Sequence, residues 1–72
     1  MDKTERQNVL VGSRVKKIRE DNSLTQSQLA NKFNVSVSLI KQVENGHKSL
    51  SINLAKMYVE WYGASLDNIY FG

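Results

Sequence analysis

Apolar residues recur along the chain at the spacing of amphipathic helices, and no pair of alternating runs suggests a β-hairpin. Val11, Val15 and Ile18 predict a first helix that ends near residues 21–23. Four further segments each begin after a hydroxyl residue that can cap a helix N-terminus. These caps are Thr25, Ser36, Ser51 and Ser65. Five short amphipathic helices, none of them stable alone, predict a compact all-α domain.

The inward stripes of these helices predict the hydrophobic core. Its predicted members are Val15, Ile18, Leu29, Ala30, Phe33, Val35, Ile40, Val43, Ile52, Ala55, Val59, Leu66 and Ile69. Tyr58 and Tyr62 fall on the same stripe of the fourth helix, and Gly46 and Gly63 follow the third and fourth helices at positions suited to a left-handed residue. Residues 1–72 are expected to form a single domain, with residues 1–7 as a flexible N-terminal arm.

The two sides of the third predicted helix differ in chemistry. At about 100° per residue, Leu39, Ile40 and Val43 share the inward side. The outward side carries Val37, Ser38, Lys41, Gln42 and Asn45. Ordinary solvent-exposed faces favour long Glu–Lys pairs, whereas this face has a single charge and short or amide-tipped groups of the kind that read DNA base edges. Val37, Ser38, Lys41 and Gln42 are therefore predicted to contact bases.

Charge adds a modest preference for a polyanionic partner. The formal net charge is +3, and nine of the ten Lys and Arg residues lie in residues 1–50. The chain has no Cys and one His, which excludes disulfides and makes a zinc site implausible, so no cofactor is expected. Paired carboxylates, a nucleophile beside a base and a phosphate-binding Gly loop are all missing from the sequence. We therefore expect neither an enzyme nor a small-molecule ligand.

No apolar run approaches the roughly 18 residues of a membrane span. The first eight residues, MDKTERQN, are polar with mixed charge and differ from a secretory signal or a transit peptide. The expectation is a soluble cytoplasmic protein without a membrane partner.

Several segments, in the same order, resemble the lambda-repressor-like or Cro-type (XRE) family of helix-turn-helix proteins. These segments are SRVKKIRE, LTQSQLA, VENG and GASLDNI, and Leu29, Ala30, Asn34, Val35, Ile40 and Val43 match the helix-turn-helix itself. The resemblance extends from about Gly12 to Gly72. It implies a five-helix DNA-binding domain, usually dimeric, that acts as a transcriptional repressor of bacterial or phage type. Asn34 replaces the usual turn Gly and tolerates a left-handed conformation, while Leu50 replaces a common Pro.

The resemblance also implies roles for individual residues. Phosphate contacts are assigned to Gln26, Asn45, Lys48 and Ser49, and Gln26 would in addition support the recognition helix. Arg19 and Glu44 match an ion pair that joins the first helix to the end of the third. A solvated Lys48 and an Asn45 that merely ends its helix remain open alternatives.

Three aromatic residues near the C-terminal end, Trp61, Tyr70 and Phe71, suggest an interface. Related domains dimerise through this end, which suits a homodimer on an inverted repeat in double-stranded DNA. A monomer with singly exposed aromatic residues is the simpler alternative. An antitoxin or adaptor-like protein-interaction module with the same fold is the alternative function.

Overall fold

In a computed structural model of the chain, which describes residues 2–72, five α-helices follow one another and no strand occurs in that range. The helices are α1 Lys3–Asp21, α2 Gln26–Phe33, α3 Val37–Glu44, α4 Ile52–Tyr62 and α5 Leu66–Phe71. The all-α, five-helix prediction is confirmed. Every helix within residues 2–72 is too short or too polar to span a lipid bilayer.

The predicted caps begin α2 to α5. Thr25 Oγ1 accepts a hydrogen bond from the Gln28 N–H at 3.1 Å, and the Gln28 side chain accepts one from the Thr25 N–H at 2.8 Å, which completes a capping box. The hydroxyls of Ser36, Ser51 and Ser65 each accept from a backbone N–H three residues later. Local side-chain chemistry therefore sets where these four helices start.

The start of α1 differs from the prediction. Residues 3–7, expected in a flexible arm, lie in the first turns of α1, while residue 1 is outside the described range. Asp2 Oδ1 accepts a hydrogen bond from the Glu5 N–H at 2.8 Å and so caps the helix. Lys, Glu, Arg and Gln among residues 3–7 are good helix formers, which explains how a polar segment without an apolar stripe continues the helix.

The core is formed by apolar residues from all five helices and the loop before α4. They are Val11, Val15, Leu29, Ala30, Phe33, Ile40, Val43, Leu50, Leu54, Ala55, Tyr58 and Ile69. Ile18, Val35 and Leu66 are partly buried against this cluster, and Val59 is half-buried. The prediction for Ile52 is wrong, because this side chain is 49% exposed. Leu54 takes the inward position on α4 instead.

Phe33 and Tyr58 connect α2 to α4. Their rings meet edge to face, with centroids 5.0 Å apart. Burial raises the pKa of the Tyr58 phenol well above its ordinary value, so the side chain is neutral at physiological pH.

The last helix turns back along α4 and is held by α1. The Tyr70 hydroxyl donates to the Leu50 carbonyl at 3.0 Å, which brings the end of α5 to the beginning of α4. From α1, Gln7 Nε2 donates to the Tyr70 carbonyl at 2.7 Å and Arg14 Nη1 donates to the Ile69 carbonyl at 3.1 Å. These donors satisfy carbonyls of the last turn of α5, which has no following helical turn to do so.

Candidate nucleic-acid interface

A tight turn joins α2 to α3. Asn34 adopts a left-handed conformation with φ 56° and ψ 45°, and the Val35 N–H donates to the Ala30 carbonyl at 3.0 Å. Ser36 then caps α3. The turn lets the buried residues of α2 pack against Ile40 and Val43, so α3 lies across α2 with one side inward and the other toward solvent.

The outward side of α3 presents the predicted base-contacting residues. Ser38, Lys41 and Gln42 are exposed, whereas Val37 is half-buried at the edge of the core. Together they span an arc of about 140° around the helix. A hydroxyl, an ammonium and a carboxamide thus lie side by side on a short, exposed helix, next to the methyl groups of a valine.

Arg19 and Glu44 form a two-pronged ion pair between α1 and the last turn of α3. Arg19 Nε lies 2.7 Å from Glu44 Oε2, and Nη2 lies 3.0 Å from Oε1. The two side chains are 10% and 1% exposed. Arg19 Nη1 also donates to the Leu24 carbonyl at 2.7 Å. The hydrogen bond to Glu44 raises the pKa of Arg19 despite the opposing effect of burial, so the guanidinium stays charged.

Gln26 joins this ion pair from the first turn of α2. Its Nε2 donates to Glu44 Oε1 at 3.0 Å, and the side chain is half-buried. Three helices therefore meet at one carboxylate. Because a primary amide has two N–H donors, Gln26 can support α3 and still offer a donor to a second acceptor.

The loop after α3 folds back on that helix. Gly46 takes a left-handed φ of 78°, and the N–H groups of His47 and Lys48 both bond to the Gln42 carbonyl, at 2.9 and 3.2 Å. The side chains of Asn45, His47 and Lys48 are exposed. Asn45 and Lys48 therefore lie at the solvent surface beside the end of α3.

Ser49 differs from the other predicted phosphate contacts. Its hydroxyl donates to Asn8 Oδ1 of α1 at 3.1 Å. Sequence reasoning missed Asn8, which lies 41 residues away, directly after the segment 1–7 that was expected to be an arm. No local sequence signal could have paired these two residues.

Two glycines, one in α1 and one in the loop after α3, make close contacts that sequence reasoning did not predict. A Cβ on Gly12 would collide with the Val43 carbonyl oxygen and lie 2.7 Å from the Glu44 carbonyl oxygen. A Cβ on Gly46 would lie 2.7 Å from Val9 Cγ2. The first half of α1 thus lies directly beneath the end of α3 and the loop that follows it.

The three aromatic residues predicted to share an interface do not lie together. Trp61, 54% exposed, is at the end of α4, where Lys32 Nζ of α2 lies 5.6 Å from its ring centroid. The half-buried Tyr70 is bonded to Leu50 at the start of α4, and its neighbour Phe71 is 82% exposed. The length of α4, roughly 15 Å at 1.5 Å per residue, separates the two positions.

A protein-family model described as helix-turn-helix matches residues 15–69 of the chain. Searches of curated proteins and of solved structures found no match. The matched range includes α2, the turn, α3 and both partners of the Arg19–Glu44 ion pair. It begins after Asn8 and Gly12, so the part of α1 that contacts the loop lies outside it.

Proposed function

The chain belongs to the XRE-type helix-turn-helix family, a family of DNA-binding regulators rather than of enzymes, and we propose that it is a repressor that reads the major groove with α3. A regulator of this kind acts where DNA is found, and we assign it to the cytoplasm. Its partner is double-stranded DNA containing an inverted repeat.

The exposed side of α3 carries this proposal. The carboxamide of Gln42 can pair with N6 and N7 of adenine, and the Ser38 hydroxyl can serve several base edges. Lys41 can donate to the guanine acceptors O6 and N7, while Val37 methyl groups suit the thymine methyl. None of the three exposed side chains, Ser38, Lys41 and Gln42, contributes to the core, which favours a role in recognition.

Phosphate contacts would fix this helix in the groove. Gln26, Asn45 and Lys48 lie at the two ends of the α2–turn–α3 unit and offer an amide, a second amide and an ammonium group. Such contacts orient a protein on the duplex but carry no base information. The base-reading and phosphate-binding groups should therefore respond differently to mutation.

Selection from random-sequence DNA with the purified protein would supply the operator for this test. Gln42→Ala is expected to cost about 1–3 kcal/mol on the selected operator and to relax the preference at one base position per half-site. Lys48→Ala is expected to weaken specific and scrambled duplexes alike and to make the salt dependence shallower by roughly one unit of slope. Titrations of both duplexes at several salt concentrations measure both effects.

Lys56→Ala, which removes an exposed Lys from α4, is the matched control and should change neither duplex's affinity appreciably. Equal losses on operator and scrambled DNA for Gln42→Ala would show that this side of α3 does not read bases. A selection that enriches no sequence would favour the antitoxin or adaptor-like alternative, which the exposed Trp61 and Phe71 make reasonable.

We further propose that the chain dimerises through its exposed aromatic residues. Trp61→Ala combined with Phe71→Ala is expected to weaken self-association, and to lower affinity for the two-site operator more than for a half-site, because the second half-site is then bound independently. Sedimentation equilibrium and half-site titrations measure this. Because α4 separates the two aromatic positions, the single variants identify which of them forms the interface. A wild-type monomer at high concentration, or an unaltered dimer in the double variant, would contradict the proposal.

A further inference from the structure

The contact between α1 and the loop after α3 suggests a role for Asn8. We propose that Asn8 is a positioning residue for DNA binding: it holds residues 45–50 in the conformation that presents Lys48 to a phosphate. This inference rests on the proposed function. It also changes the role of Ser49 from a phosphate contact to the anchor through which Asn8 acts.

The loop is fixed to the rest of the domain at both of its ends. At its start, Gly46 approaches α1 so closely that a Cβ there would lie 2.9 Å from Val9 Cα. Near its end, the Ser49 hydroxyl donates to Asn8 Oδ1 at 3.1 Å. Lys48 lies between these two attachments with its side chain exposed. The two contacts with α1 therefore set the direction in which the Lys48 side chain extends into solvent.

Hydroxyl chemistry excludes a simultaneous phosphate contact by Ser49. A serine hydroxyl has one hydrogen to donate, and phosphate oxygens at neutral pH only accept. While Ser49 donates to Asn8, its side chain cannot also donate to DNA. Lys48, whose ammonium group has three donors, remains free to do so on the same loop.

The first half of the loop is bonded to α3, whereas the second half is held by the Ser49–Asn8 bond and by Leu50, which is buried in the core and accepts a hydrogen bond from the Tyr70 hydroxyl. The His47 and Lys48 N–H groups bond to the Gln42 carbonyl of α3. A groove of about 550 Å³ lies between α1 and the loop and is lined by Glu5, Asn8, Val9, Asn45, Gly46 and His47. Loss of the Asn8 bond would release the Ser49 side chain from α1, so residues 47–49 could shift within the limits set by Gly46 and the buried Leu50.

Paired variants test this arrangement. Asn8→Ala and Ser49→Ala are each expected to lower operator affinity about three- to tenfold, the amount associated with one hydrogen bond. The double variant should lose no more than either single variant, because both remove the same interaction. The salt slope should stay at the wild-type value, because Lys48 still reaches its phosphate in the complex and the affinity lost is the free energy needed to order the loop. Ser49→Thr, which keeps the hydroxyl, should retain wild-type affinity.

A readout without DNA distinguishes positioning from a general loss of stability. Amide hydrogen exchange should become faster in residues 46–48 of Asn8→Ala, whose N–H groups are bonded to carbonyls of α3, while α2 and the rest of α3 keep their protection. Asn31→Ala removes an exposed asparagine from α2 and so makes a similar change in helix propensity; it should alter neither exchange in the loop nor affinity.

Two results would overturn the inference. In one, Ser49→Ala weakens binding while Asn8→Ala has no effect, as a direct phosphate contact by the Ser49 hydroxyl requires. In the other, Asn8→Ala binds the operator as tightly as the wild type does, although Lys48→Ala binds it more weakly. That result would leave the proposed function intact. Failure of the proposed function itself looks different, because the wild-type chain then does not bind the selected DNA.

Discussion

Glu44→Ala is expected to lower the free energy of unfolding by about 3–5 kcal/mol, because it leaves the buried Arg19 guanidinium without its counter-charge. Glu44 accepts hydrogen bonds from Arg19 and from Gln26, and its side chain is 1% exposed. A domain of 72 residues has a total stability of roughly 4–11 kcal/mol. The substitution should therefore remove a large share of it, visible in urea unfolding and as a melting temperature more than about 10 °C lower.

The exposed pair Lys17–Asp21 provides the control. Its side chains are 77% and 61% exposed, so Asp21→Ala should change stability by no more than about 0.5 kcal/mol. Replacing both buried partners, Arg19→Met with Glu44→Leu, should recover much of the loss, because no unpaired charge remains. A Glu44→Ala variant no less stable than Asp21→Ala would contradict the assignment of Glu44 as the centre of this network.

Helix starts could be predicted from the sequence because their cause is local. A hydroxyl residue at the cap bonds to a backbone N–H three residues later, so Ser36 and Ser51 carry the information within one turn. The same rule applies to Asp2, but the polar residues after it show no apolar stripe. Their helix is stabilised by propensity, capping and contacts with distant segments, and the sequence pattern alone therefore favours an arm there.

The inward face of α4 could not be chosen from periodicity. The helix, INLAKMYVEWY, carries apolar residues on most of its circumference, so more than one stripe fits the helical repeat. The stripe through Ile52, Ala55 and Val59 is as regular as the observed one. Contact with Phe33 and the buried loop residue Leu50 selects the side with Leu54 and Tyr58. That selection depends on tertiary packing.

Proximity in the sequence did not predict which aromatic residues lie together in the fold. Trp61 and Tyr70 are nine residues apart, but α5 runs back along α4 and carries Tyr70 to the opposite end of that helix. The Arg19–Glu44 pair shows the reverse case, because residues 25 positions apart meet through the packing of α1 on α3. Its prediction came from family resemblance, and nothing in local chemistry required it.

Gly12→Ala is expected to destabilise the domain by about 3 kcal/mol, at the upper end of the usual range for overpacking. In an exposed helix, replacing Gly with Ala stabilises by about 1 kcal/mol, so the expected sign is reversed. The reason is the contact of α1 with α3: the new methyl group would collide with the Val43 carbonyl oxygen and lie 2.7 Å from that of Glu44. Backbone atoms cannot rotate away, so the two helices must separate. Thermal and urea unfolding measure the change.

Gly63→Ala separates this collision from backbone strain. Gly63 has a φ of 67°, but a Cβ added there would have no neighbouring atom within 4 Å, so Ala incurs only the conformational cost, about 1 kcal/mol. Gly12→Ala should be clearly the less stable of the two. Separation of α1 from α3 would also displace Glu44 and the loop held by Asn8, so operator affinity should fall even where the variant is fully folded. A Gly12→Ala domain that melts above the wild type would show that α1 does not lie so closely against α3.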